Sequence, residues 1–232
     1  MVNGVIRYVI TVTGLCWCIS LHAQKQVADS IGALLAHEKQ DSNKVTLLWN
    51  QAIAYNRFNP DSSILLAQKA LVLARKIKFI AGESKSLGVL ANAFEQIGNY
   101  PKSLEYFLLK LKLEEERDYP LNMASVLLSI GSVYVLQEEY ENALNYYFKA
   151  DSVMKNNVEG DPKFGFQLRY SIALNIGDLY NRINRLDSAY IFFQRSYDIS
   201  KEQVNTDYTG MSMVGIGEVY LKQKEYEKSK KL

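Results

Sequence analysis

The chain has 232 residues, 48% of them hydrophobic and 22% charged, with a net charge of +2. Apolar content of that size excludes an intrinsically disordered chain. The near-neutral balance excludes a global field that would draw in nucleic acid or an anionic membrane.

The first 23 residues read as an export signal. Arg7 supplies a short basic start, Tyr8 to Leu21 is mostly apolar and uncharged, and Leu21-His22-Ala23 offers a small residue before a cut. The apolar run is short for a spanning helix, which needs about 20 residues. Cleavage is therefore the expectation, with an uncleaved N-terminal membrane anchor as the alternative. A lipoprotein signal is disfavoured, because Leu15 precedes Cys16 and Trp17 precedes Cys18. Both cysteines lie inside the signal. Cleavage would leave no disulfide, thiol nucleophile or thiolate metal site. It would also remove Arg7 and leave 26 basic residues against 25 acidic ones, with His37 as the remaining histidine. The expected location is outside the cytoplasmic membrane, in the periplasm.

Residues 24–40 are expected to hold a short N-terminal helix, Val27 to Lys39. From Asp41 onward a repeat takes over. A small residue is followed three positions later by an aromatic one at Ala52/Tyr55, Ala91/Phe94, Gly131/Tyr134, Gly177/Tyr180 and Gly217/Tyr220, spaced by 39, 40, 46 and 40 residues. The segments 128–134, 174–180 and 214–220 are one motif written three times. A second small residue follows each aromatic after eight or nine positions: Ser63, Ser103, Ala143, Ala189 and Ser229. Phe107, Tyr147 and Phe193 come four residues after three of these. Ala150 and Ser196 come three beyond in two of them, and Lys110 takes that place in the repeat of Phe107. Steps of three and four keep such residues on one helix face, so each repeat predicts a helical hairpin whose small residues admit the neighbouring helix. A lone hairpin cannot bury its apolar face, so the hairpins must stack.

The punctuation agrees. Pro60, Pro101, Pro120 and Pro162 stand where second or first helices should begin, the position proline tolerates. Asp61 adds a favourable first-turn charge, and Gly98 ends one first helix. The stretch 156–161 is the one long turn-rich break and is expected to account for the spacing of 46 residues.

This pattern resembles the tetratricopeptide repeat family, whose first helix carries Leu-Gly-x-x-Tyr and whose second carries Ala-x-x-x-Phe-x-x-Ala. The resemblance covers Asp41 to Leu232 and is best in the third and fourth repeats. It implies an all-α fold, a right-handed superhelix of about five hairpins, the last one incomplete. The segment Asn59 to Ser63 before an Ala/Leu-rich helix also resembles exported bacterial proteins in which such arrays precede a sensor histidine kinase. That likeness implies the sensory part of a signalling system.

Candidate chemistry is sparse. His37 has no histidine or cysteine partner for a metal. Glu114-Glu115-Glu116 is expected to be a solvated face, since successive helical residues point apart. Gly215-Ile216-Gly217 lacks the preceding strand and further glycine of a phosphate loop. The expectation is a non-catalytic protein with no cofactor, no metal and no nucleic-acid partner. The family resemblance implies that first helices line a groove for a protein or peptide. Carried over position by position, the groove residues are Trp49, Asn56, Arg57, Lys85, Asn92, Glu95, Ser132, Asp178, Asn181 and Arg182. A lysine-based clamp for a C-terminal carboxylate is not expected, because the decisive position holds Trp49, Gly88, Leu128, Leu174 or Val214. The alternative function is an assembly module that self-associates through its C-terminal hairpin.

Overall fold

The computed structural model describes residues 25–155, 160–202 and 206–224. The expected signal peptide with its two cysteines, and the second helix of the last hairpin, lie outside these residues. The described residues form helices with no strand among them: α1 (25–37), α2 (Asp41–Tyr55), α3 (Pro60–Lys76), α4 (Ile80–Gln96), α5 (Tyr100–Glu116), α6 (Pro120–Leu136), α7 (Tyr140–Lys155), α8 (Pro162–Arg182), α9 (Leu186–Glu202) and α10 (Thr206–Lys222). The fold is all-α, a helical-repeat array of the tetratricopeptide type. None of these helices is long and apolar enough to cross a membrane.

Within α5 the chain divides into two compact units, Met1–Lys110 and Leu111–Leu232. In the first, α3 packs on α2 and on α4, and α2 lies beside α4. In the second, α6 pairs with α7 and α8 with α9. There α7 also packs on α8, α9 on α10, and the first helices α6, α8 and α10 lie beside one another in turn.

The small and aromatic residues occupy the contacts expected of them. Ala52, Ala91, Gly131 and Gly177 are buried. A Cβ at Gly131 would lie 2.5 Å from the Tyr147 ring, and one at Gly177 would lie 2.8 Å from the Phe193 ring. At these two positions glycine admits the aromatic ring that the second helix presses onto the first. Phe193 is held from both sides, since a Cβ at Gly215 of the next first helix would also come within 2.5 Å of it. The aromatic three residues beyond the small one stacks on a second-helix ring: Phe94 on Tyr106 at 5.5 Å, Tyr134 on Tyr146 at 5.4 Å and Tyr180 on Phe192 at 5.8 Å. Such pairs add about 0.5–1.5 kcal/mol each beyond their buried area.

The second helices bury residues at steps of four, three and four: Ser63, Ala67, Ala70 and Ala74 in α3; Ala143, Tyr147, Ala150 and Met154 in α7; Ala189, Phe193, Ser196 and Ser200 in α9. In α5 the same register is Ser103, Phe107, Lys110 and Glu114. Lys110 is accommodated because Gly88 of α4 faces it, a Cβ there falling 3.0 Å from Nζ. Glu114 corrects the expectation of a solvated acidic face. It is fully buried, with Arg117 Nη1 donating to Oε2 at 2.8 Å, whereas Glu115 and Glu116 are exposed. The register places it inward, and the guanidinium beside it offsets burial of the charge.

A second buried carboxylate joins two hairpins. Asp151 of α7 accepts from Arg195 Nη2 of α9 at 2.6 Å and from Lys155 Nζ at 3.0 Å. Burial alone would raise its pKa. Those hydrogen bonds and the two nearby positive charges win, and hold the carboxyl below its ordinary value.

The corners between helices share one geometry. Residues Lys78, Gly98, Asp118, Glu138 and Asn184 all have positive φ, from 49° to 74°. After α3, Lys78 N–H donates to Arg75 C=O and Phe79 N–H to Ala74 C=O; the same two bonds recur at Gly98/Asn99, Asp118/Tyr119, Glu138/Glu139 and Asn184/Arg185. These are Schellman corners, and only one carries the glycine that would announce it. A side chain in this left-handed region costs about 1–2 kcal/mol, and glycine loses part of that gain to its freer unfolded chain. Lys78→Gly and Glu138→Gly are each expected to stabilise by about 0.5–1 kcal/mol, read as a higher urea midpoint. A lower midpoint in both would mean that the corners carry no such strain.

The break before α8 falls where the sequence marks it, but it does not account for the whole of the longer spacing. The chain between α7 and α8 is 156–161, but α8 itself has 21 residues where α6 has 17. Part of the extra spacing is therefore helix, capped by Asp161, whose Oδ1 accepts from Lys163 N–H at 2.9 Å.

Candidate functional site

In the first unit, a recess of about 620 Å³ opens between α1, α2 with its corner, and α4. Its wall is apolar: Val27 and Ile31 from α1, Leu47, Ile53 and Ala54 from α2, and Val89 from α4. Its polar groups are Asn50, Asn56, Arg57 and Asn92. Three of these, Asn56, Arg57 and Asn92, are residues assigned to the groove from the sequence. The side chains arrive there for local reasons. Asn56 caps α2 and Arg57 sits in the turn that follows, so both project from the end of the helix. Asn92 follows the buried Ala91 by one residue and so points away from the hairpin interface. The α1 wall is pinned by Gln51, a buried residue whose Nε2 donates to Ala28 C=O at 3.0 Å. Gly32 permits the approach, since a Cβ there would fall 2.7 Å from the same nitrogen.

The remaining first-unit candidates are dispersed. Lys85 is exposed on α4. Glu95 is half-buried there, and burial pushes its carboxyl above the ordinary range. Trp49 belongs more to the core than to a groove, packed on the cluster of Val45, Leu48, Ala70 and Ala74.

In the second unit, Ser132 is half-buried and shares a 3.2 Å hydrogen bond with the Tyr147 hydroxyl, whose pKa burial raises. Asp178 and Arg182 pair at 2.9 Å, with about half of each side chain exposed. Asn181 departs from expectation: it is 4% exposed. Its Nδ2 donates to Glu218 Oε2 at 2.9 Å, and its main-chain carbonyl accepts from Lys222 Nζ at 2.7 Å. It joins α8 to α10 and is not a free groove residue, because the neighbouring first helix covers it. Among the exposed residues of α10, Met211, Val214 and Leu221 are apolar and each at least half exposed, beside the charged Glu218 and Lys222.

Sequence reasoning missed the α1 wall and Asn50, since α1 lies outside the repeat and no register reaches it, whereas Ile53 falls on a groove position of the first repeat. Among the described residues no group of three His, Cys, Asp or Glu side chains is placed to hold a metal.

No family model matches the chain. Tetratricopeptide repeat protein 29 of Trypanosoma brucei brucei is 23% identical over 175 residues, 71% of this chain and 34% of that protein. The photosystem I assembly protein Ycf3 of Acaryochloris marina is 28% identical over 107 residues, 46% of this chain and 60% of that protein. The chain thus spans about a third and three-fifths of these curated relatives. Among solved structures, the signal-transduction ATPase with a tetratricopeptide repeat sensor from Pyrococcus horikoshii aligns with a TM-score of 0.74 at 18% identity, covering 92% of this chain and 34% of that one. The apo quorum sensor NprR of B. thuringiensis aligns at 0.70 and 14%, covering 94% and 59%. At these identities the structural likenesses establish the fold. The two curated relatives and the repeat sensor share with this chain a helical-repeat pattern of the tetratricopeptide type.

Proposed function

We propose that the protein is a non-catalytic scaffold that binds a protein or peptide, acting outside the cytoplasmic membrane as the sensory part of a bacterial signalling system. The observation that carries the binding reading is the first-unit recess, which brings together Asn56 and Arg57 from the corner after α2 and Asn92 from α4 around an apolar wall. The sensory role is supported by the names of two structural neighbours, a repeat sensor and a quorum sensor. The export reading rests on Arg7, the apolar run after it and Ala23. Protein recovered from cells should begin near Gln24 by N-terminal sequencing; an intact Met1 in a membrane fraction would instead identify an anchor.

A triple variant Asn92→Ala, Asp178→Ala and Arg182→Ala tests the binding faces. All three side chains are at least partly exposed, and the one ion pair removed is a surface pair contributing about 0–1 kcal/mol. Helicity should therefore stay unchanged while partner retention in a pull-down falls. A variant that keeps every partner would count against the first-helix faces as the site. The second reading, a self-associating assembly module, is favoured by the exposed Met211, Val214 and Leu221 and by the assembly role in the name of one relative. It requires a solution mass of two or more chains without any partner present.

A further inference from the structure

We infer that the recess beneath α1 is a specificity pocket for an extended acidic peptide segment, one that places a large aliphatic or aromatic side chain inward and an adjacent aspartate or glutamate against Arg57. The inference rests on the scaffold reading and names the ligand chemistry of one of its sites. Three observations lead to it. The first is the wall: Val27 and Ile53 stand half exposed on opposite sides of a recess whose size suits a short segment. An apolar side chain placed between them would remove both from water. The second is Asn56, whose Oδ1 is buried and accepts no hydrogen bond. A buried acceptor without a donor is costly; the Asn56 side chain lines the recess, so turning its amide outward would let that oxygen accept from a main-chain N–H laid there. Asn92, exposed on the facing helix, can both donate and accept. Such amides match a peptide backbone, which presents N–H and C=O groups in alternation.

The third observation is charge. Arg75, Arg117, Arg169, Arg182 and Arg195 are each paired with a carboxylate. Arg57 and Arg185 have no such partner among the described residues, and of these Arg57 lines the recess. A guanidinium presents donors in a planar fork that fits a carboxylate. A basic segment would meet repulsion at the same place. Because the pocket is closed by α1 through Gln51 and Ala28, it belongs to this chain's own N-terminal helix and is not repeated along the array.

The test uses the purified protein on two immobilised hexapeptide arrays. One combines a single Leu, Ile, Phe or Trp with a neighbouring Asp or Glu, and the other carries Lys in place of the acid. The acidic array should be preferred by about tenfold, the scale of one charge-assisted hydrogen bond, and the preference should shrink in high salt. Arg57→Ala and Ile53→Glu should each abolish it, and Arg57→Lys should retain part of it. All three substitutions are at exposed positions, and circular dichroism checks that the variants stay folded. Equal binding to both arrays, or a preference unchanged in Arg57→Ala and Ile53→Glu, overturns the pocket while leaving peptide binding elsewhere intact. Failure to retain any peptide on either array overturns the pocket and the peptide-binding reading together.

Discussion

Gly131→Leu and Gly177→Leu are each expected to lower stability by about 2–3 kcal/mol, the upper part of the range for overpacking. The first added carbon alone would stand 2.5 Å from the Tyr147 ring or 2.8 Å from the Phe193 ring. At Gly131 the Ala143 carbonyl lies 3.2 Å away as well, so the backbone of α7 limits the retreat. Helix propensity works in the opposite direction, since leaving glycine in mid-helix costs about 1 kcal/mol. Gly210→Ala separates the two effects, because nothing lies within 4 Å of a Cβ there. It should stabilise by up to about 1 kcal/mol. Urea midpoints for the three variants decide the matter. Unchanged midpoints in both leucine variants would break the assignment of these glycines to the hairpin contact.

Arg195→Met should cost about 2–3 kcal/mol at pH 7. Breaking a buried pair typically costs about 3–5 kcal/mol, and Lys155 remains to compensate part of the charge on Asp151. The pH dependence distinguishes this from lost packing. In the native protein the Asp151 carboxyl is held below its unfolded value near 3.9. Its contribution is therefore present above that value and is lost as pH falls through the lower folded value. In the variant, burial meets less opposing charge, the carboxyl is pushed up, and protonation relieves the penalty. The gap between native and variant midpoints should narrow between pH 7 and pH about 3.5. A gap of constant size would assign the loss to the arginine's aliphatic stem.

The hairpins were legible because their contacts require particular residue sizes. Gly131 and Gly177 each face an aromatic ring, and no larger side chain fits, so the pattern survives in the letters. Glu114 was legible in principle, standing eleven residues after Ser103 just as Met154 follows Ala143, but its charge suggested solvent. The rings of Tyr106, Tyr146 and Phe192 were missed although they recur twelve residues after Phe94, Tyr134 and Tyr180. The candidate site was less readable. Arg57 and Asn92 need only be exposed, a condition that many residues meet. Asn181 fails it because Glu218 and Lys222 arrive from a helix 37 and 41 residues away in sequence. The α1 wall depends on one main-chain contact from Gln51, and a glutamine among helical residues does not advertise that role.

The corners at Lys78, Gly98, Asp118, Glu138 and Asn184 are drawn by main-chain hydrogen bonds, with five different amino acids at the same point. Substitution there changes stability by only about 1 kcal/mol, and the same two hydrogen bonds form whichever of these five residues stands at the point. The geometry of the corner is common to all five, while the letters that mark it are not. Arrays built on such corners can thus share one geometry at the 14–18% identity seen against the structural neighbours. The turn is remembered by the backbone after it has been forgotten by the side chains.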